Sequence, residues 1–142
     1  MRLLHHSYST NGGRPLPPTQ EGISQASAYL DECLKDQHPD IQSSLHVILD
    51  EIASNIVKHS GASGFEVDVE FMEDPVGVRL VFADDGVPYD PFAHADPDTT
   101  LPANERPIGG LGIMIVKKMA DSISYERIRN RNFLTVFKKG SS

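Results

Sequence analysis

The sequence predicts an α+β fold, a two-layer sandwich with three helices on one face of a mostly antiparallel sheet. Apolar residues recur at helical spacing in three separate stretches, and two-residue alternation marks a strand in the middle of the chain. The strand-like runs also fall in adjacent pairs around short turns, as hairpins do. With 142 residues, 39% hydrophobic and 23% charged, the chain suits one domain, 1–142, able to bury a real core.

Arg2 to Ser9 reads as a short strand, and the NGGRPLPP stretch from Asn11 to Pro18 as a turn-rich connector. From Thr19, the residues Ile23, Ala26, Leu30, Cys33 and Leu34 give a first amphipathic helix that stops near Pro39. A second follows over Asp40 to His59, with Ile41, Leu45, Ile48, Leu49, Ile52 and Ile56 on one stripe and Gly61 as its end. The same helical angle turns His59 toward that apolar stripe, as a packed core residue or a group supporting its polar neighbours. Phe65, Val67, Val69 and Phe71 then alternate with Glu66, Asp68 and Glu70, a strand with one wet side. Met72 to Pro75 turns the chain into a more apolar strand, Val78 to Ala83. Pro91 to Pro107 holds four of the ten prolines and no periodic pattern, a loop long enough to suggest a lid over 91–108. A third helix opens at Gly109-Gly110-Leu111-Gly112 and carries Ile113, Val116, Met119 and Ala120. Ile123 to Ile128 and Phe133 to Lys138 form a last pair of strands around an Arg129 to Asn132 turn.

Composition narrows the function. No run of eighteen apolar residues and no apolar stretch behind a charged start is present, so a cytoplasmic location without membrane contact is expected. The lone Cys33 cannot close an intrachain disulfide, and the six histidines lack metal-ligand spacing. A net charge of -7 argues against a general nucleic-acid coat. That charge is uneven: residues 1–116 hold 6 basic and 18 acidic groups, residues 117–142 hold 7 and 2. The basic end reads as a solvated helix end plus a charged hairpin, or as a surface for an acidic partner.

Three local patterns carry chemistry. Glu51 and Asn55, four apart on the second helix, border its apolar stripe together; there a carboxylate can take a proton and an amide oxygen can hold a hard cation such as Mg²⁺. The same pair is compatible with a solvated helix face. Asp84-Asp85-Gly86 ends a buried strand, where an acid can accept a hydrogen bond from an exocyclic amine; a plain turn would use the same residues. Gly109, Gly110 and Gly112 at a helix start offer unhindered N–H groups and a positive dipole end to phosphate oxygens, or a hinge to the loop. No strand feeds Gly109 and no Gly-Lys-Ser/Thr follows, so neither a P-loop nor a Rossmann turn is present.

The order of these patterns, in DEIASNIVKHSG (50–61), VFADDGVPYDPF (81–92) and GGLGIMIVKKMAD (109–121), resembles that of the Bergerat-fold ATPases shared by gyrases, mismatch-repair proteins and histidine kinases. Within that group the chain is most similar to the small anti-sigma-factor serine kinases of bacteria. The resemblance implies ATP and Mg²⁺ as ligands, with Asn55 as magnesium ligand and Glu51 as the catalytic carboxylate that activates the attacking hydroxyl. It implies that Asp84 reads the adenine amine beside Gly86, and that Gly110, Leu111 and Gly112 form the phosphate-side turn. Thr135 would supply a hydroxyl near adenine, and Arg106 would meet the terminal phosphate. The partners it implies are an anti-sigma-factor antagonist or a sigma factor, and relatives that dimerise make a homodimer compatible with it. Pro88 stands where the family often has a second glycine, and the proline-rich lid is nearly neutral. The alternative is a non-catalytic nucleotide-sensing module that sequesters a partner.

Overall fold

The computed structural model describes residues 6–9, 14–93 and 111–140. After strand β1 (His6–Ser9), helix α1 (Gln20–Leu34) begins where Thr19, in extended backbone, accepts a hydrogen bond from Gly22 N. Ile23, Ala26, Leu30 and Leu34 are buried along it, with Cys33 half-buried at the edge of the stripe. Helix α2 (Pro39–Asn55) starts on a proline, whose missing N–H has no intrahelical partner to lose, while His38 Nδ1 accepts from Asp40 N at 3.1 Å. The two helices pack as a pair, and His46 of α2 reaches α1 twice: its Nδ1 lies 3.3 Å from Ser27 Oγ and its Nε2 lies 2.6 Å from Asp31 Oδ1, off the line of a hydrogen bond.

The second helix does not continue in α form to His59. Ile56–Ser60 make a π turn, and Gly61, at φ 65°, ends it in the left-handed conformation. A turn that takes an extra residue passes the buried position one residue along. Ser60 is therefore 1% exposed, and His59, expected to pack into the core, lies exposed.

Strands β2 (Phe65–Glu73) and β3 (Val76–Asp84) form one hairpin; β4 (Ser122–Ile128) and β5 (Arg131–Lys139) form another, joined to the first through a short 3₁₀ turn (Pro91–Ala93) and helix α3 (Leu111–Met119). The five strands run in the order β1-β2-β3-β5-β4, every neighbour antiparallel. Phe65, Val67, Val69, Leu80, Phe82, Leu134 and Val136 from the inner sheet face are buried with Leu30, Leu45, Ile48, Leu49, Ile52 and Val116 from the helices. This is the expected two-layer sandwich, with β3 at its centre and α2 lying over the core. No helix among the described residues is long and apolar enough to cross a membrane.

The basic excess near the C-terminus is partly absorbed by the fold. Arg131 pairs with Glu66 and lies 5.5 Å from the Phe133 ring centroid, and Lys138 donates to Met119 O at 2.7 Å. The β4–β5 turn is tighter than expected, with only Arg129 (φ 51°) and Asn130 (φ 64°) between the strands. Two consecutive left-handed residues define a type I′ turn, for which Asn-Gly is the best pair. Replacing Arg129-Asn130 by Asn-Gly is expected to stabilise the fold by about 1 kcal/mol, raising Tm by ~3–5 °C in a calorimetric scan.

Candidate functional site

The last turns of α2 form a wall onto which both other motifs are packed. At its end, Val87 N donates to Ser60 O at 2.8 Å, which fastens the loop after β3 to the π turn. Gly86 sits so close to this turn that a Cβ there would lie 2.3 Å from Ser60 O and 2.6 Å from Ser60 Cβ. Backbone cannot yield as a side chain does, so Gly86→Ala is expected to destabilise the protein by about 1–3 kcal/mol in urea unfolding. The neighbouring Asp85 accepts from Ser63 Oγ, Ser63 N and Gly64 N, and the Ser63 hydroxyl above all holds its carboxyl below the usual carboxylate range. His59 stacks on Tyr89 with ring centroids 5.6 Å apart, so the residue expected in the core instead closes one side of the same loop.

One turn earlier on α2 lie the two polar residues of the first motif, both half-buried. Asn55 Nδ2 donates back to Glu51 O at 2.8 Å, so its amide oxygen is left for something else; no described residue donates to it. The Glu51 carboxylate likewise has no hydrogen bond or ion pair among the described residues, and it lies against the start of α3. A Cβ on Gly112 would come within 1.8 Å of Glu51 Oε2. Glycine at 112 thus leaves the space the carboxylate occupies.

At the end of β3, Asp84 points inward and is 2% exposed. Strand register explains what meets it: Asp84 pairs with Asn132 of β5, and Asn132 with Arg127 of β4, so three polar side chains stand in a row across the inner face. Asp84 Oδ1 accepts from Gly86 N at 2.8 Å and from Asn132 Nδ2 at 3.0 Å, and no described donor reaches Oδ2. Asn132, 1% exposed, also donates to Val87 O at 2.8 Å and accepts from Tyr125 Oη at 2.6 Å and Arg127 at 3.1 Å. Arg127 in turn donates to Gly86 O at 2.7 Å. A buried carboxylate, costly unless its polar atoms are matched, is thereby supported by the described residues on one oxygen alone.

Glu51, Asn55, Asp84, Gly86 and Gly112 therefore gather at one end of the sandwich. Thr135 does not join them. Along β5 the inward positions are Asn132, Leu134 and Val136, and Thr135, paired with Val81, faces the opposite side of the sheet. The residue of β5 that stands opposite Asp84 is Asn132. Arg106, Gly110 and most of the lid over 91–108 lie outside the described residues, as does the side chain of Leu111. Among the described residues no group of three or more His, Cys, Asp or Glu could hold a metal ion. Any cation here would rest on oxygens such as that of Asn55 together with those of a ligand.

A helix whose Glu51 carboxylate and Asn55 amide oxygen have no partner among the described residues, a buried strand-end acid and the start of α3 at Gly112 thus meet at one end of the fold, and comparison with known proteins gives the family. The family model of the histidine kinase-like ATPase domain matches residues 16–138, and the chain belongs to that family. Among solved structures, the chain is similar to the RsbU and RsbW domains of Rv1364c from Mycobacterium tuberculosis, with a TM-score of 0.64 and 16% identity. The alignment covers all of this chain and 33% of that one, so this chain spans about a third of its length. At that identity the likeness is one of fold. Comparison with curated proteins gives no match.

Proposed function

We propose that this chain binds ATP with Mg²⁺ and acts as a serine protein kinase of the anti-sigma regulatory type, phosphorylating a small antagonist protein. The observation that carries this reading is that three acceptors from two motifs, the Glu51 carboxylate, Asn55 Oδ1 and Asp84 Oδ2, stand at one end of the sandwich unclaimed by described residues. The likeness to a structure containing an RsbW domain supports the choice of partner.

The residues fit the ligands. Asp84 Oδ2 is placed to accept from the amine of adenine, and tight contact at Gly86 keeps the loop flat beside the base. Asn55 offers the hard oxygen that Mg²⁺ prefers and would hold the cation there, where it would offset the charge that develops on the phosphates. The first N–H groups of α3 around Gly112 suit phosphate oxygens. Glu51 takes the proton of the incoming serine hydroxyl as the serine oxygen bonds to the terminal phosphorus. The bond from that phosphorus to its bridging oxygen breaks, releasing ADP. A fluorescent-ATP titration with and without Mg²⁺, followed by phosphate incorporation into serine-bearing antagonist candidates, tests the reading. Magnesium-dependent binding with transfer to serine is expected. Binding without transfer would reduce the protein to a nucleotide-sensing module, and absence of binding would overturn the reading entirely.

A further inference from the structure

Among the described residues, donors reach Asp84 Oδ1 and none reaches Oδ2. The two ends of the Asn132 side-chain amide have nearly the same shape and opposite chemistry, so the end that faces Asp84 decides what Asp84 can do. Its partners settle the choice. Nδ2 lies on two acceptors, Asp84 Oδ1 (3.0 Å) and Val87 O (2.8 Å), while Oδ1 lies on two side-chain donors, Tyr125 Oη (2.6 Å) and Arg127 (3.1 Å), and at a longer 3.4 Å on Tyr89 N. A reversed amide would set oxygen against two acceptors and NH₂ against the arginine. Arg127 further clamps the loop through Gly86 O at 2.7 Å. Both residues are partly buried on β4, an edge strand of the sheet outside every motif of the site.

Resting on the nucleotide reading above, we propose that Tyr125 and Arg127 are positioning residues that set the base preference of the site. By locking the Asn132 amide with its NH₂ toward Asp84, they occupy Asp84 Oδ1 and leave Oδ2 as a fixed acceptor. A purine with an amine at C6 is then favoured over one with a carbonyl there, which would set acceptor against acceptor. Without the two side-chain donors the Asn132 oxygen keeps only the longer contact with Tyr89 N, and the Gly86–Val87 loop loses the Arg127 clamp on Gly86 O, so the acceptor is aimed less firmly.

The test is the ratio of affinities for ATP and inosine triphosphate, which differ at C6, measured by titration of the full chain. The native protein is expected to favour ATP by about tenfold or more, the worth of one hydrogen bond to a charged group. Tyr125→Phe combined with Arg127→Ala is expected to bring that ratio within about threefold, chiefly by loss of ATP affinity, and Arg127→Lys to retain part of it. Should the double variant fail to fold, Tyr125→Phe, which removes one hydroxyl, is expected to lower the ratio by ~threefold on its own. Equal loss of both affinities, with the ratio unchanged, would mark a merely structural role and overturn the inference. If Asp84→Ala removed the preference while the β4 variants kept it, the nucleotide reading would stand and this inference alone would fall. A native protein that binds both alike would overturn this inference alone, and one that binds neither nucleotide would overturn the two together.

Discussion

Replacing Glu51 by glutamine is expected to slow phosphoryl transfer by about 10²–10⁴-fold, the usual worth of a positioned general base. ATP affinity should stay within about threefold, because a group that acts on the incoming hydroxyl adds little to ground-state binding. Glutamine keeps the length of the side chain, and hence its contact with the start of α3, where Gly112 leaves it room. What it loses is the ability to take a proton. The Glu51 carboxylate has no protein partner among the described residues that would compensate. Phosphate incorporation and nucleotide titration on the same preparation separate the two effects. Native transfer rates from the variant, with nucleotide bound, would remove Glu51 from its assigned role.

Asp84→Ala is expected to weaken ATP binding by about 10–100-fold, the worth of a hydrogen bond between an amine and a charged acceptor. The substitution also strips Gly86 N of its acceptor and takes one of the two acceptors from Asn132 Nδ2, so the loop that carries Gly86 and Val87 loses part of its anchoring. Both consequences lower affinity, and neither touches the aliphatic core beneath α2. A thermal melt alongside the titration distinguishes loss of the acceptor from loss of the fold. Affinity within about twofold of native would mean that Asp84 reads no base.

The sandwich was legible in the sequence because burial writes its period directly into the chain. Ile41, Leu45, Ile48, Leu49 and Ile52 had to lie on one side of a helix, and Phe65, Val67 and Val69 on one side of a strand; all are buried as expected. The misreading of His59 has a local cause. An α-helical angle carried past Ile56 assumes a turn of constant width, and the π turn at Ile56–Ser60 exchanges the roles of His59 and Ser60.

Thr135 was misplaced for a different reason. In Phe133-Leu134-Thr135-Val136-Phe137 apolar residues occur at both parities, so alternation does not say which face is inward, and a shift of one residue reverses every side chain. Pairing settles it, since Leu134 faces Phe82 and Val136 faces Leu80. Asn132 then falls inward opposite Asp84, although the two lie 48 positions apart along the chain. Its only sign in the sequence is a polar residue two before Leu134, at the edge of the expected turn. Arg127 was hidden more completely, as one of seven basic groups counted toward a charged end. Motifs disclose the residues a ligand touches, whereas those that aim them are revealed by register.

A structure of the protein crystallised with ADP and Mg²⁺ tests the account most directly. It should show the adenine amine on Asp84 Oδ2, the cation on Asn55 Oδ1 and the phosphates at the start of α3 beside Gly112. Nucleotide bound elsewhere, with Asp84 and Asn55 touching neither base nor cation, would contradict it.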